Sequence, residues 1–320
     1  MYFLNIIPDK NILIIEDKDF IKFIISSMKV LYKIRKEKID TCIDMEFFSR
    51  ASAIFSYLSG CKNRVGLHRF NAEQPFRGDL MTHKVNHNPH IHISQYYRML
   101  VDVVFEDKLA HERPHNKLEI IDKEKIQLPS YTPDESLIQN IKKIIYDEFK
   151  EDIFSIKDKK LVLLNPNAGD LLPIRKWDSE NYIELAYRLL NYDKNIYILL
   201  TGAPSERDAV EAMRFKINHS RVGSMAGKTS FKDLITLYYV SDLLVTNDSG
   251  PGHFTTLTST RTIVLFGPET PLLFGSLSKN VRTIWKNLGC SPCVNVYNHR
   301  FSPCNNSICM KSITIDEVFH

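Results

Sequence analysis

The chain has 320 residues, of which 43% are hydrophobic and 25% are charged, and its formal net charge is +4. This size and composition are typical of a soluble globular protein with two domains, and they exclude a largely disordered chain. The weak positive charge is compatible with an anionic substrate or a membrane surface, but it is too small to indicate nucleic-acid binding.

The apolar runs of the sequence are short. The longest, such as residues 12–15 and 161–164, have the length of strands and fall well below the roughly 20 residues of a membrane-spanning helix. The opening residues MYFLNIIPDK lack the basic region, apolar core and cleavage site of a secretory signal. We therefore expect a cytoplasmic protein without a transmembrane anchor.

Strand and helix patterns alternate through the first part of the chain. In chain order, the periodicities predict strand 11–17, helix 20–38, strand 39–47, helix 49–58, strand 64–66 and helix 93–104. Residues 68–89 carry Gly, Pro, Asn and His without a period, so we expect a long functional loop there. The alternation implies a parallel sheet covered by helices.

A domain boundary is predicted near residue 155, after an amphipathic helix at 137–149. Beyond it, strand patterns at 160–166, 196–202, 243–248 and 262–267 alternate with helix patterns at 179–190, 205–217, 231–240 and 252–258. Strands each followed by a helix or turn predict a Rossmann-like domain. The sequence therefore predicts an α/β protein with domains 1–155 and 156–320.

Small, polar and charged residues follow the strands of the second domain, where open α/β sheets bind their ligands. The first loop combines Ala168 and Gly169, which let a ligand approach the backbone, with Arg175 and Lys176, which can neutralise a phosphate. Taken alone, this loop could equally be a turn before a helix. Glu206, after the second strand, could do no more than complement a helix dipole.

The third loop of this domain is more specific. Its residues Asp248, Ser249, Gly250, Gly252 and His253 form a turn that opens a helix, and such a turn suits a pyrophosphate. The loop lacks both the Gly-Lys-Ser/Thr ending of a P-loop and the spacing of the dinucleotide fingerprint. Its position at a strand end predicts a diphosphate-binding site.

Several segments together resemble the donor domain of glycosyltransferase family 9, the ADP-heptose:lipopolysaccharide heptosyltransferases. They are NPNAG with RKW, LLTGAPSERD, MAGKTSFKDLITLYYVSDLLVTNDSGPGH and TIVLFGPETP, and they span about residues 161–271 in order. The resemblance implies the GT-B fold, in which two Rossmann-like domains face a cleft. It also implies an ADP-sugar site in the carboxy-terminal, donor-binding domain.

The resemblance assigns donor-site roles residue by residue. Asp248, Ser249, Gly250 and His253 match the family's phosphate and sugar contacts. Glu206 matches the acidic residue that meets the ribose.

The remaining donor-site assignments come from the first motif and from the segment before the third loop. Thr229 falls where a contact reaches the adenine, and Asn167 lies in the first motif. Family members usually carry Lys two residues before the Trp of that motif, where this chain has Arg175 followed by Lys176. Either cation could serve the diphosphate.

The family's candidate catalytic base is an Asp in a Gly-Asp pair after the first strand of the amino-terminal domain, and this sequence has no such segment. Residues 37–70 resemble the middle of that domain, so the resemblance implies that the base and first strands lie before Met1. By that register, Asp17 and Asp19 are not expected to be catalytic. We expect a chain with an incomplete acceptor-side domain that binds donor but transfers sugar poorly.

The stretch 64–92 concentrates Arg64, Arg69 and Arg77 together with several histidines. Arginine suits bidentate contacts to carboxylate or phosphate, and the family's acceptor is a phosphorylated, Kdo-containing lipid core. The three arginines are therefore candidates for acceptor binding, with ordinary surface-loop residues as the alternative.

The cysteines Cys290, Cys293, Cys304 and Cys309 form a C-x2-C-x10-C-x4-C cluster near His299. Four soft ligands are enough for a tetrahedral structural zinc. Reduced or disulfide-paired thiols in an irregular loop explain the spacing equally well.

The resemblance implies an inverting transferase that moves heptose from ADP-heptose to a lipopolysaccharide inner-core acceptor and needs no cofactor for transfer. Peripheral contact with the cytoplasmic face of the inner membrane fits that acceptor. A family 9 transferase for another nucleotide sugar or acceptor would keep the same motifs. A non-catalytic nucleotide-sugar-binding remnant is the alternative from a different class.

Overall fold

The computed structural model describes residues 7–70, 77–105, 112–113, 125–169, 172–298 and 301–320, with 112–113 described by their backbone alone. The chain divides into two compact units. The first comprises Met1–Ile121 with Val296–Arg300, and the second comprises Asp122–Asn295 with Phe301–His320.

The described residues of the first unit form a four-stranded parallel sheet with its helices. In chain order, the elements are α1 (Phe20–Lys36), β1 (Thr41–Asp44), α2 (Arg50–Leu58), β2 (Asn63–Arg69), β3 (His83–Asn86), α3 (Ile93–Asp102) and β4 (Glu112–Arg113). The strands pair in the order β1-β2-β3-β4, so β1 lies at an edge of the sheet.

Apolar side chains from the central strands and α3 form the core of the first unit. Val65 and Leu67 on β2 and Val85 on β3 are buried in one cluster with Tyr96 and Leu100 of α3. The spacing of four residues places Tyr96 and Leu100 on the same face of their helix.

The segment before α1 departs from the sequence prediction. A short 3-10 turn covers Asp9–Asn11, and irregular backbone continues to residue 17 instead of the predicted strand. Ile14 is 74% exposed, and within the described part of the chain β1 pairs with β2 alone. The prediction is wrong because an apolar run becomes a strand only where a neighbouring strand can satisfy its backbone.

The predicted long loop at 68–89 is also partly wrong, because it contains β3. This four-residue strand pairs in parallel with β2 and buries His83 and Val85 on one face of the sheet. Alternating inward residues are the normal pattern of a strand. Its shortness, and the histidine in an inward position, conceal that pattern in the sequence.

The second unit is a larger α/β structure. Its elements are α4 (Glu135–Phe149), β5 (Lys160–Asn165), α5 (Ser179–Tyr192), β6 (Ile196–Leu200), α6 (Arg207–Ile217), β7 (Val222–Ser224), α7 (Phe231–Tyr239), β8 (Leu243–Asn247), α8 (Gly250–Phe254), β9 (Arg261–Phe266), α9 (Pro271–Phe274), β10 (Val281–Trp285), α10 (Ile308–Lys311) and α11 (Ile315–Phe319). The six strands are all parallel and pair in the order β10-β9-β8-β5-β6-β7. This is the doubly wound Rossmann order, with its switch point between β5 and β8.

Helices cover both faces of this sheet. Along β5, Val162 and Leu164 join one buried cluster, whereas Leu161 and Leu163 join another. Successive strand residues point to opposite faces, so β5 is buried on both sides, as a central parallel strand must be. The predicted α/β class with parallel sheets is confirmed.

Helix α4 packs with the second unit, although the sequence analysis assigned its residues to domain 1–155. Ile141 and Ile145 are fully buried in the cluster of Leu161 and Leu163. The Glu148 carboxylate accepts the backbone N–H of Ser224 on β7 at 2.8 Å. The compact second unit therefore begins upstream of residue 155.

The described helices include none that is both long and apolar enough to cross a bilayer.

Candidate functional site

The carboxyl ends of β5, β8 and β9 lie side by side, because β8 pairs in parallel with β5 on one side and β9 on the other. The strand order changes direction between β5 and β8, and doubly wound sheets bind their ligands at this position. Arg175 follows β5, Asp248 follows β8 and Glu269 follows β9. The sheet thus brings three charged residues from distant parts of the sequence to one edge.

Asn247, the last residue of β8, ties the loops at this edge together. Its Oδ1 accepts the Trp177 backbone N–H at 2.9 Å and the Tyr182 hydroxyl at 3.3 Å. Its Nδ2 donates to the carbonyls of Pro166 at 3.0 Å and Asn167 at 3.2 Å. Asn247 is fully buried, so its amide fixes both ends of the loop that carries Arg175.

Arg175 connects two buried carboxylates. Its Nη1 lies 3.3 Å from Glu269 Oε2 and 3.6 Å from Asp248 Oδ2. The three side chains are only 16%, 6% and 5% exposed for Arg175, Glu269 and Asp248. Arg175 Nε and Asp248 Oδ2 are buried without a hydrogen-bond partner among the described residues. Unsatisfied buried polar atoms are uncommon and mark this cluster as a candidate ligand site.

The charge of Asp248 is unusual. Burial raises its pKa, the neighbouring Glu269 carboxylate raises it further, and Arg175 opposes both effects, so that the pKa lies at about 7. Two carboxylates that share one guanidinium in a buried place cannot both ionise easily. Strongly shifted pKa values in a concave, partly desolvated cluster are typical of functional sites.

Asn167 and Glu206 approach each other at the end of β6. The Glu206 Oε2 accepts the Ala203 N–H at 2.7 Å, and Asn167 Nδ2 donates to the Thr201 carbonyl at 3.3 Å. A Cβ at Gly202 would lie 2.9 Å from Asn167 Nδ2. Glycine therefore makes room for both polar side chains at this strand end.

The two remaining predicted donor-site side chains outside the third loop are half-buried. Thr229 lies between β7 and α7, directly before the helix cap Ser230. Lys176 follows Arg175 at the end of a 3-10 turn. Both lie beyond carboxyl ends of strands of the sheet, where the resemblance expects them.

The predicted Gly-containing turn opens the five-residue helix α8. The Ser249 hydroxyl donates to the carbonyl of Asn247 at 3.1 Å. A Cβ at Gly252 would lie 2.9 Å from Val264 on β9, so glycine here permits close packing of α8 on the sheet. Gly250 precedes it and His253 is exposed on the helix. The turn has the predicted position, and the roles of its residues stay predictions.

In the first unit, every nitrogen of the Arg77 guanidinium donates a hydrogen bond to a protein group. Its guanidinium donates to Asp44 Oδ2, to Ser52 Oγ, to the Glu46 carbonyl and to the Ser49 carbonyl, the last at 2.9 Å. The Arg77 side chain is 1% exposed and that of Asp44 is 4% exposed. This geometry favours a structural role for Arg77 over the predicted contact with an acceptor.

Arg64 and Arg69 are half-buried. Arg64 donates to the carbonyls of Leu80 at 2.8 Å and Cys61 at 2.7 Å, and its guanidinium lies 5.4 Å from the ring centre of Tyr57. Arg69 Nη2 lies 3.5 Å from His68 Nε2. The structure thus disperses the three arginines among separate local contacts, and acceptor binding by them stays a prediction.

Asp17 is exposed, and Asp19 caps α1 by accepting the backbone N–H groups of Ile21 and Lys22 at 2.8 and 3.2 Å. A helix cap is a sufficient explanation for an Asp at that position.

The four clustered cysteines are free thiols. Among the described residues, no three His, Cys, Asp or Glu side chains are grouped so that they could hold a metal ion. The structure therefore gives no support to a zinc site at Cys290, Cys293, Cys304 and Cys309. His299 lies outside the described residues.

The thiols differ in character. Backbone N–H groups of Asn306 and Ser307 lower the pKa of Cys304, whereas burial raises the pKa of Cys309. Such differences are typical of separate thiols in an irregular segment.

With this geometry established, comparison with known proteins identifies the class. The sequence model of glycosyltransferase family 9 (heptosyltransferase) matches residues 28–301, and the chain belongs to this family. Its relatives include lipooligosaccharide heptosyltransferase 2 of Campylobacter jejuni serotype O:6, which is 26% identical over 223 residues. That alignment covers 67% of this chain and 65% of the relative.

A second relative is lipopolysaccharide heptosyltransferase 2 of Salmonella typhimurium, which is 25% identical over 134 residues, covering 41% of this chain and 38% of the relative. The chain therefore aligns with less than two thirds of the length of these relatives.

Solved structures support the fold. E. coli ADP-heptose LPS heptosyltransferase II has a TM-score of 0.63 at 18% identity, covering 92% of this chain and 79% of that protein. A family 9 glycosyltransferase of Veillonella parvula has a TM-score of 0.64 at 15% identity, covering 95% and 79%. At these identities the likeness establishes the fold, two α/β units of the GT-B kind.

Two residues of the site were not identified from the sequence. Glu269 follows β9 within the motif TIVLFGPETP, but only the sheet order shows that it meets Arg175 and Asp248. Asn247 precedes Asp248 and has the sequence context of an ordinary turn residue, so only the structure shows its contacts with both ends of a distant loop. In both cases the informative signal was a polar residue at the end of an apolar strand.

Proposed function

We propose that the second unit binds an ADP-sugar and that the chain acts as a heptosyltransferase, taking heptose from ADP-heptose for an anionic lipopolysaccharide inner-core acceptor. The observation that carries this proposal is the buried Arg175–Asp248–Glu269 cluster at the switch point of a Rossmann-like sheet. Family membership supports the reaction class.

The chemistry of the site suits a departing nucleoside diphosphate. Glycosyl transfer leaves negative charge on the diphosphate, and a guanidinium presented at a strand end can stabilise that charge. Asn247 holds the loop of Arg175 in place, so the cation is positioned before the ligand arrives. Transfer of this kind requires no cofactor in our proposal.

Calorimetric titration with ADP tests the donor site. At pH 6, Asp248→Ala should weaken ADP binding strongly, because the side chain that holds the Arg175 guanidinium in place is lost, whereas the exposed-site control Asp147→Asn on α4 should bind as the wild type does. Unchanged ADP affinity in Asp248→Ala would refute the assignment of the site.

A donor panel separates the remaining alternatives. Turnover with ADP-heptose and a deacylated core acceptor supports the proposed reaction. Turnover with a different nucleotide sugar alone identifies another family 9 transferase. Tight donor binding with no transfer to any acceptor identifies a non-catalytic nucleotide-sugar-binding protein.

Helix α1 supports the further proposal of peripheral contact with an anionic membrane. Phe20, Ile24, Met28 and Tyr32 recur at intervals of four and are between 41% and 77% exposed. The helix contains five basic residues and no acidic residue. An apolar stripe beside basic side chains is the pattern of a helix that lies in the interface of an anionic bilayer.

Vesicle sedimentation tests this surface. The protein should bind vesicles that contain phosphatidylglycerol more tightly than vesicles of phosphatidylcholine alone. The double variant Ile24→Glu with Met28→Glu should lose most of this binding, whereas Phe215→Glu, at a 68% exposed site on α6, should not. If the wild type is instead a dimer that the double variant dissociates, and vesicle binding is unchanged, α1 contacts a second copy of the chain and not a membrane.

A further inference from the structure

The charge of the Arg175–Asp248–Glu269 cluster changes with protonation, and this has a consequence for donor binding. With both carboxylates ionised, the three side chains carry a net charge of −1 beside the site where a diphosphate is proposed to bind. With one proton on the pair, they carry no net charge. An anionic ligand such as a diphosphate binds more readily beside the neutral cluster than beside the negatively charged one.

We infer that binding of the nucleotide-sugar diphosphate is coupled to uptake of one proton by Asp248, and that Glu269 is the positioning residue that establishes this coupling. This inference rests on the proposed donor site. It adds a residue that the sequence motifs did not select and a dependence on pH that the reaction itself does not require.

Geometry supports the coupling. Arg175 Nη1 lies between the carboxylates, at 3.3 Å from Glu269 and 3.6 Å from Asp248, so one cation serves two acids. Asp248 is 4% exposed, and its Oδ2 has no hydrogen-bond partner among the described residues. A protonated carboxyl group there would gain a hydrogen to donate, which an ionised one lacks.

Other titratable groups at the same edge lie on neighbouring segments. Lys176 follows Arg175, Glu206 follows β6 and His253 lies on α8. Arg175 and Glu269 are the charged groups that act on Asp248, and they act in opposite directions. The proton balance of the site is therefore controlled by the two acids and the one cation between them.

The step is a simple protonation. The proton comes from the solvent and forms an O–H bond on the Asp248 carboxylate, and no other bond is made or broken. Because burial and Glu269 hold the pKa of Asp248 at about 7, ligand-free Asp248 is already mostly protonated below that pH. A bound diphosphate raises that pKa further, so binding takes up a proton at higher pH.

The sign of the pH effect follows. Above pH 7, donor affinity should fall by up to about tenfold for each pH unit, until the pKa of the bound state is passed. Below pH 7, affinity should no longer depend on the protonation of Asp248.

Calorimetry with ADP-heptose at pH 8, in two buffers of different ionisation enthalpy, counts the protons directly. ADP-heptose is the appropriate probe because its diphosphate is esterified at both ends and does not itself titrate near neutrality. The wild type should take up a substantial fraction of one proton per ligand bound. Asp248→Asn should take up none, and its affinity should be independent of pH between 7 and 9.

Glu269→Gln should still bind and should take up fewer protons at pH 8 than the wild type, with its affinity transition moved to lower pH. The matched substitution Glu184→Gln, on the surface of α5, should behave as the wild type does. Proton uptake by the wild type equal to that of Asp248→Asn, with binding intact, overturns the inference and leaves the donor site standing. Absence of ADP-heptose binding by the wild type overturns both.

Discussion

Two buried arginines, one in each unit, lie against the carboxyl end of a strand and differ in how their donors are used. Arg77 in the first unit gives its N–H groups to two side-chain oxygens and two carbonyls around the end of β1. Arg175 in the second unit holds two carboxylates through Nη1, and its Nε has no hydrogen-bond partner among the described residues.

This difference shows why burial of a charged residue alone does not identify a binding site. A guanidinium whose donors are all satisfied by the protein has little left to offer a ligand, and its removal leaves an unpaired carboxylate. A guanidinium that lies beside two carboxylates and still has an N–H without an acceptor can donate a hydrogen bond to a ligand. The two arginines therefore predict opposite results on substitution.

The largest effect is expected for Arg77→Met. Removing the cation leaves Asp44 as a buried, unpaired charge, so the first unit should lose about 3–5 kcal/mol of stability. Hydrogen exchange in β1 and α2 should report this loss, while the affinity for ADP should stay unchanged.

A double variant sharpens this test. Arg77→Met with Asp44→Asn should be more stable than Arg77→Met alone, because no unpaired charge remains. If Arg77→Met instead leaves hydrogen exchange unaltered but abolishes transfer to the acceptor, Arg77 contributes to acceptor binding and not to stability.

A smaller effect is expected for Asn247→Ala. The Trp177 N–H and the Tyr182 hydroxyl would lose their acceptor in a buried place, at a cost of about 2 kcal/mol. The loop that carries Arg175 would also loosen, so ADP affinity should fall together with the unfolding temperature. Asn247→Asp keeps the acceptor oxygen but sets its second oxygen against the carbonyls of Pro166 and Asn167 in a buried place, so it should lose stability as well. An unfolding temperature unchanged in both variants would show that these hydrogen bonds do not hold the loop.

The smallest effect is a gain of stability in Asp248→Asn. The folded-state pKa of Asp248, about 7, lies above the unfolded value, so the wild type loses stability as pH rises from about 4 to 7. Asp248→Asn removes this loss, so its gain in stability over the wild type should be greater at pH 8 than at pH 5. Thermal unfolding at pH 5 and pH 8 measures it, with the exposed Asp147→Asn as control. A gain of equal size at both pH values would contradict the assigned titration.

The regular α/β part of the fold was predictable from the sequence, and its irregular parts were not. Strands β5, β6, β8 and β9 are apolar runs with polar ends, so periodicity finds them. Strand β7 has three residues, and in β10 Arg282 and Thr283 interrupt the apolar residues of a partly exposed strand, so neither shows a clear pattern. The apolar run at 11–17 has the pattern of a strand, but it pairs with no strand in the described part of the chain.

The arrangement of the candidate donor site was predictable in part for the same reason. Asp248 and Arg175 were found because they follow strands that end at one edge of a sheet. Their meeting with Glu269 depends on the order of the strands, which one sequence does not specify. The candidate acceptor-side arginines Arg64, Arg69 and Arg77 each contact different local groups, and their predicted role in acceptor binding stays a prediction.

Helix α4 precedes the second sheet in the chain but completes its core, and this defines where the molecule can be divided. A Cβ at Gly223 would lie 2.4 Å from Glu148 Cγ, so the helix and the edge strand β7 fit together as one piece. A fragment that starts at residue 156 lacks α4, so the apolar side chains that pack against Ile141 and Ile145 would be exposed and the fragment should aggregate. A fragment that starts near residue 125 keeps α4 and with it a buried core. A fragment of the second unit used for domain exchange between related transferases should therefore include one more helix, α4, than the Rossmann pattern alone suggests.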